Sequence, residues 1–167
     1  MFKKSLQFLL LLMALMAPWA VKGQTLTVYD DESATSHYVP IDGYYVDGTS
    51  IKTEYIMPAT ALTAMNGKEI TQMTFYLQTV GNRSWGDAVF RVFMKEVDTT
   101  VISSFSGYND ATVVYVGGLD CQNTEMNVVF DNSYLYGGGN LLIGFYVDTK
   151  GTYTGTYNDY KIGRAHV

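Results

Sequence analysis

The chain has very few of the residues on which metal sites and many catalytic sites depend. It contains one cysteine and two histidines, and the second histidine, His166, lies in an unusual C-terminal tail. A single cysteine, Cys121, cannot form an internal disulfide, so burial alone must hold the core together. Zinc needs three or four His, Cys or carboxylate ligands, which one histidine and one cysteine do not provide. We therefore do not expect zinc chemistry.

Catalytic motifs are also missing. His37 lies in a polar loop beside Ser36, but the sequence has no G-x-S-x-G turn to hold a nucleophilic serine. Cys121 has no basic neighbour in the sequence that would activate its thiol, so we expect it to be a small buried apolar residue. Carboxylates are plentiful, yet nothing marks a pair suited to glycoside hydrolysis. The sequence predicts a protein that is not an enzyme.

The first 23 residues have the three parts of a secretory signal peptide. Lys3 and Lys4 carry positive charge, residues 6–17 are almost entirely apolar, and the small Gly23 precedes the expected cleavage before Gln24. The apolar run is shorter than the roughly twenty residues that span a bilayer, so a membrane anchor is the weaker alternative. We expect an exported protein, outside the cell or on its outer surface, with no transmembrane anchor in this fragment.

The last seven residues differ from the rest of the chain. Residues 162–167 can be back-translated as ATCGGAAGAGCACACGTC, a sequence that a widely used sequencing-library adapter contains. We interpret residues 161–167 as an adapter artefact and the chain as the truncated N-terminal part of a longer protein. An ordinary polar C-terminus is the alternative. Resequencing the locus decides between them, because a genuine stop codon after Val167 would contradict the adapter interpretation.

Without these two ends the mature segment, residues 24–160, is strongly acidic. Six basic residues remain against sixteen acidic ones, which gives a net charge of −10. The six are Lys52, Lys68, Arg83, Arg91, Lys95 and Lys150. Such a field repels phosphate, so nucleic acid and anionic lipid are poor partners. The length of this segment suits one domain with one core.

The pattern of the mature segment predicts an all-β fold. Gly, Thr, Tyr, Val and Phe dominate and proline is scarce, which favours strands and tight turns. Alternating or short apolar runs predict strands at 26–30, 51–57, 73–77, 88–97, 112–116, 126–130, 141–147 and 152–157. One short helical turn is expected at 59–65, between Pro58 and Asn66-Gly67. We predict a β-sandwich, jelly-roll or immunoglobulin-like, with a barrel as the alternative.

Aromatic residues in or beside predicted loops form one candidate ligand site. Flat rings can stack on the C–H faces of sugars, and binding residues of a sandwich usually lie in its loops. The candidates are Trp85, Tyr44, Tyr45, Tyr134 and Tyr136. The alternative is that these rings pack in the core or at its rim, since tyrosine is also a favoured strand residue.

Acidic residues near the mature N-terminus form a second candidate site. Asp30, Asp31 and Glu32 are adjacent, with Asp42 and Asp47 farther along, and Ca²⁺ prefers such oxygen ligands. No D-x-[DN]-x-[DN]-G loop is present, so a solvated acidic loop is the alternative. We expect no other cofactor.

Four segments carry a resemblance to a known group of proteins. They are YVPIDGYYVDG (38–48), IMPATALTAMNGKEITQMTFYL (56–77), VFRVFMKEV (89–97) and GGGNLLIGFYVDTKGTY (137–153). Together they resemble modules of large surface proteins exported by anaerobic bacteria, close to the adhesin domains of the gingipain and haemagglutinin group and often followed by fibronectin type III repeats. The resemblance implies an extracellular β-sandwich with an adhesive or structural role, and it carries no catalytic motif.

We therefore expect a non-catalytic, secreted or cell-surface β-sandwich module for adhesion or for binding an extracellular glycan or protein, in the N-terminal part of a larger protein. Two alternatives remain. The chain could be an accessory domain of a secreted hydrolase whose catalytic domain is missing, or a purely structural spacer.

Overall fold

The computed structural model describes residues 23–28, 35, 36, 38, 40, 41, 46, 51–78, 84–155 and 160–166. The predicted signal peptide, apart from Gly23, lies outside these residues. The strands within them are β1 Thr27–Val28, β2 Thr35–Ser36, β3 Lys52–Met57, β4 Glu69–Leu77, β5 Val89–Val97, β6 Thr112–Gly117, β7 Glu125–Leu135, β8 Asn140–Thr149 and β9 Tyr160–His166. The helical structure in this part of the chain consists of two single 3-10 turns, Ala59–Ala61 and Thr63–Met65.

The strands form two antiparallel sheets. Sheet A has the order β1-β9-β4-β7, with β2 also pairing with β9, and sheet B has the order β3-β8-β5-β6. The pairing is nested, because β1 pairs with β9, β3 with β8, β4 with β7 and β5 with β6. This nesting is what results when one long antiparallel hairpin is rolled into two sheets, and it is the strand order of a jelly roll. The predicted all-β sandwich is confirmed.

The core lies between the sheets and is built by alternation along the strands. In β8 the inward residues Leu141, Ile143 and Phe145 are buried, and in β5 Phe90 and Met94 meet them. Period-two alternation places every second side chain on this inner face. Cys121 is also buried, as expected of a small apolar residue. No helix in the described part of the chain is long and apolar enough to cross a membrane.

The helical turn lies where the sequence predicts it. Pro58 is extended, and its carbonyl oxygen accepts the N–H of Ala61 at 2.9 Å as the first turn begins. Gly67 has φ +72°, a left-handed conformation that glycine adopts without a steric penalty, and the second turn ends just before it. These turns carry the chain from β3 in sheet B to β4 in sheet A.

The predicted strand 152–157 is absent from its described residues, and two strands, β2 and β9, were not predicted. Residues 152–155 form no strand, and Thr154 makes only an isolated bridge to Ser84. Gly155 has φ +113°, which interrupts an extended segment. β2 is only two residues long, and β9 lacks a clear apolar alternation. Both are therefore hard to recognise from local pattern alone.

Strand β9 contains most of the segment interpreted as adapter-encoded. Ala165 is paired with Val28 of β1 on one side and with Phe75 of β4 on the other. Ladder hydrogen bonds are made by the backbone, which every residue type except proline carries in full. Pairing therefore does not bear on the origin of these residues, and the adapter interpretation stays a prediction that resequencing tests.

Candidate functional site

Three of the aromatic residues proposed for ligand binding are buried. The exposed fraction is 3% for Trp85, 8% for Tyr134 and 0% for Tyr136. Trp85 lies against Phe90, with ring centroids 4.9 Å apart. The three rings present no exposed stacking surface in this structure, and their positions agree with the core-packing alternative.

The remaining predicted site residues lie outside the described part of the chain. They are Tyr44, Tyr45, Asp30, Asp31 and Glu32. Among the described residues, no group of three His, Cys, Asp or Glu side chains is arranged to hold a metal ion. The calcium site therefore stays a prediction.

The glycine turn next to Tyr136 has a structural explanation. The carboxylate of Glu96 accepts the backbone N–H groups of Gly137 and Gly139, both at 2.6 Å. The hydroxyl of Tyr136 donates to the carbonyl oxygen of Gly139, also at 2.6 Å. Burial, and then the charge of Glu96, raise the pKa of Tyr136. The tyrosine and the carboxylate thus hold the connection between β7 and β8 in shape.

A different set of aromatic residues lies on the outer face of sheet B. The loop 98–111 between β5 and β6 folds back over this face and brings rings of its own against rings of the strands. We call the resulting cluster the aromatic patch. It consists of Phe93, Phe105, Tyr108 and Tyr146 together with the cations Lys52 and Arg91.

Strand register explains why these strand residues meet. Tyr146 of β8 is the register partner of Lys52 on β3 and of Arg91 on β5, so three neighbouring strands point these side chains to the same face. Phe93 is paired with Gly144. A Cβ atom at Gly144 would lie only 2.0 Å from the ring of Phe93, so glycine is what lets that ring lie over β8.

The other three rings of the patch surround Tyr146 and differ in their distance from it and in their exposure. Phe93 contacts it edge-to-face with centroids 5.0 Å apart, Tyr108 lies at 5.9 Å and Phe105 at 6.5 Å, in the geometry that aromatic pairs prefer. Phe93 is fully buried, Tyr108 and Tyr146 are half-buried, and Phe105 is 52% exposed. The patch therefore rests on a buried base and ends in one exposed ring.

Glu54 attaches the loop to the sheet. Its carboxylate accepts the backbone N–H groups of Ser106 and Gly107 at 2.9 Å, and the hydroxyl of Tyr146 donates to it at 2.6 Å. Burial, followed by the hydrogen bond to Glu54, raises the pKa of Tyr146 well above its usual value. Phe105 is next to this anchor, which limits the positions its ring can take.

Two cations lie over rings of the patch. The Lys52 Nζ is 4.9 Å from the ring centroid of Phe105, and the Arg91 guanidinium is 4.5 Å from that of Tyr108, both within cation–π range. Arg91 also donates to Asp148 at 2.8 Å, which raises its pKa. Within the described residues Lys52 has no carboxylate partner.

Chemically the patch can stack a flat ligand and donate hydrogen bonds at its edge. None of the patch residues was among the predicted site residues. The one local signal was an aromatic residue, Phe93, between Arg91 and Lys95 on the strand face opposite Phe90, Val92 and Met94. Comparisons of the chain with protein-family models, curated proteins and solved structures find no match.

Proposed function

We propose that this protein is a non-catalytic exported module that binds a glycan on the aromatic patch. The observation that carries the proposal is Phe105, a half-exposed ring supported by Tyr146 and held in place through the Glu54 anchor. A supported, exposed ring loses little conformational entropy when a sugar stacks on it. The leader at residues 1–23 and the resemblance to surface adhesin modules support an extracellular role.

A glycan fits the dimensions of the patch better than a protein surface does. A stable protein interface buries about 800 Å² on each partner around an apolar centre. The patch instead offers one well-exposed ring, two half-buried tyrosines and charged groups within a few ångströms. A sugar ring has an apolar C–H face and a polar rim, so it matches this combination of a ring and hydrogen-bonding groups.

The test begins with a glycan array probed with the exported protein. The affinity of the best glycan is then measured by calorimetry for wild type, Phe105→Ala and Val101→Ala. Val101 is the matched control, because it is exposed in the same loop but makes no ring contact of the patch. We expect Phe105→Ala to weaken binding at least about fivefold, since one stacked ring contributes on the order of 1 kcal/mol. Val101→Ala should bind as wild type does.

Stability must be measured beside affinity. Phe105 is half-exposed, so its replacement should leave the melting temperature close to that of wild type. A folded protein that binds no glycan on the array would contradict the proposal and favour the spacer alternative. Binding that Phe105→Ala does not weaken would place the glycan elsewhere on the molecule.

A further inference from the structure

We infer that the glycan held by the aromatic patch is acidic, and that Lys52 binds its anionic group. This inference rests on the proposed function and specifies the ligand of the same site. The chemistry is a carboxylate or sulfate on a sugar whose ring stacks on Phe105.

The cations on the outer face of sheet B differ in their partners. Three of the six basic residues of the mature segment lie on this face. Arg91 is paired with Asp148, and Lys95 is paired with Asp110 at 2.7 Å. Lys52 instead lies over rings, 4.9 Å from the centroid of Phe105 and 5.6 Å from that of Tyr146. Among the described residues of this face it is the cation without a carboxylate partner.

The neighbouring carboxylate, Glu54, does not take the place of a ligand anion at Lys52. Glu54 lies two residues from Lys52 on the same strand face, but no ion pair joins them. Its oxygens accept hydrogen bonds from Ser106, Gly107 and Tyr146. These donors hold the Glu54 carboxylate against the loop, whereas Lys52 is exposed at the edge of the patch.

The acidic charge of the whole protein acts over a longer range than Lys52 does. A net charge of −10 on the mature segment opposes long-range approach of polyanions. At physiological ionic strength, however, charges more than about 8 Å apart are largely screened. A ligand already stacked on Phe105 therefore interacts mainly with the charges of the patch, among which Lys52 is the exposed cation, 4.9 Å from the ring centroid. Dense phosphate polymers remain poor partners, whereas a sugar with one anionic group per ring is compatible with this surface.

The experiment compares neutral and acidic polymers with the same backbone. Polygalacturonate is compared with its fully methyl-esterified form, and dextran sulfate with dextran, so that the two pairs distinguish a carboxylate from a sulfate. Affinities are measured for wild type, Lys52→Met, Lys52→Arg and Lys150→Met. Lys150 is the control, an exposed lysine just after β8 that is not part of the patch. Lys52→Met keeps the length of the apolar stem and removes the charge.

We expect wild type to prefer the acidic member of at least one pair about threefold or more, as fits a single exposed ion pair. Lys52→Met should abolish that preference, while Lys52→Arg and Lys150→Met keep it. Three results would overturn the inference. They are equal affinity for the acidic and neutral members of both pairs, a preference that Lys52→Met retains, and no binding of either pair. The proposed function is judged separately, because neutral glycan binding that Phe105→Ala weakens would leave it standing.

Discussion

The outer faces of the two sheets differ sharply although the same alternation builds both. On sheet A, Thr74 of β4 donates to Asn127 of β7 at 2.6 Å, and Gln72 donates to the same Asn127 oxygen at 3.0 Å. These polar side chains satisfy one another across the strand pair. On sheet B, the corresponding outward positions carry Phe93 and Tyr146, which the loop 98–111 covers in part.

The difference shows what makes a strand face available for binding. Side chains that already pair across a sheet have little hydrogen-bonding capacity left for a ligand. On sheet B the Glu54 carboxylate accepts hydrogen bonds from the loop and from Tyr146, but Phe105 and Lys52 remain exposed beside it. The loop thus stabilises the sheet and at the same time presents a ring and a cation to the solvent. We expect substitutions in the core, on the outer face of sheet A and in the aromatic patch to affect stability and glycan affinity differently.

The largest effect is expected from Trp85→Ala, which tests whether the core and the patch are separate. Trp85 is buried, so its removal should lower the free energy of unfolding by about 3–5 kcal/mol. The melting temperature should fall by roughly 10 °C. Thermal denaturation followed by circular dichroism measures this, and glycan affinity well below the transition should not change. An unchanged melting temperature together with weaker binding would assign Trp85 to a ligand site after all.

Trp85→Phe refines the same test. The indole N–H of Trp85 is buried without a hydrogen-bond partner in the described part of the chain. Phenylalanine keeps a ring in the core and removes this unpaired donor, whose burial is unfavourable. We expect Trp85→Phe to destabilise the protein much less than Trp85→Ala.

The next largest effect is expected from Gly144→Ala, which acts on sheet B alone. The new methyl group would lie 2.0 Å from the ring of Phe93, so the buried base of the patch must move. Overpacking of this kind costs about 1–3 kcal/mol, and glycan affinity should fall as Tyr146 loses its support. Gly118→Ala is the control, because its nearest neighbour would be a backbone oxygen at 3.9 Å. Equal stability of the two variants in urea denaturation would contradict this account.

Local sequence pattern was sufficient to predict most of the fold. The strands 88–97 and 112–116 and the turn at 59–65 agree with the structure to within one or two residues, because alternation and turn residues act over short distances. Trp85 shows where such reasoning ends. Its position in a loop left two interpretations open, a ligand-binding ring and a ring that packs in the core. In the structure the Ala88 N–H donates to the Trp85 carbonyl oxygen, and the Trp85 ring is buried in the core.

The aromatic patch was not predictable from local pattern for a topological reason. It brings Glu54 of β3 and Tyr146 of β8 together with residues 105–108, segments about 40 to 90 positions apart in the chain. Only the nested strand order and the return of loop 98–111 create this neighbourhood. Phe93, an aromatic residue on a face otherwise charged, was the only local indication, and it did not identify its partners.

A moderate effect is expected when one hydroxyl is removed from each outer face. Tyr146→Phe loses the hydrogen bond to Glu54. Thr74→Val loses the hydrogen bond donated to Asn127 and the one accepted from Gln72. Each should lower the free energy of unfolding by about 1–2 kcal/mol. Only Tyr146→Phe should also weaken glycan binding, because only it loosens the anchor of loop 98–111. Calorimetry on both variants checks this, and equal losses of affinity would remove the functional distinction between the faces.

Alkaline titration distinguishes the same two variants. The pKa of Tyr146 is raised in the folded protein, so the folded state keeps a proton that the unfolded chain loses near pH 10. This contribution to stability is present below pH 10 and decreases as the pH rises above it. Urea denaturation between pH 9 and 11 should therefore show a shallower decline for Tyr146→Phe than for wild type. Thr74→Val should follow the wild-type slope, and a common slope for all three proteins would contradict the assignment.

The smallest effect is expected from Asp110→Asn, which removes the second attachment of the loop. Asp110 accepts a hydrogen bond from Lys95 at 2.7 Å, and this bond lowers its pKa, but the Asp110 side chain is 75% exposed. Exposed ion pairs contribute little, because water and salt screen them. The melting temperature and the rate of limited proteolysis within residues 98–111 should therefore match those of wild type.

Glu54→Gln is the informative comparison for this last variant. Glu54 is half-buried and accepts hydrogen bonds from two backbone N–H groups and one hydroxyl. The NH₂ group of a glutamine in its place would face one of these donors and could not accept its hydrogen bond. We expect proteolysis of the loop to be faster in Glu54→Gln than in Asp110→Asn. If the two variants are cleaved at the same rate, the surface ion pair holds the loop as firmly as the Glu54 anchor does. The exposure of Phe105 would then depend on salt concentration, which the Glu54 anchor alone does not predict.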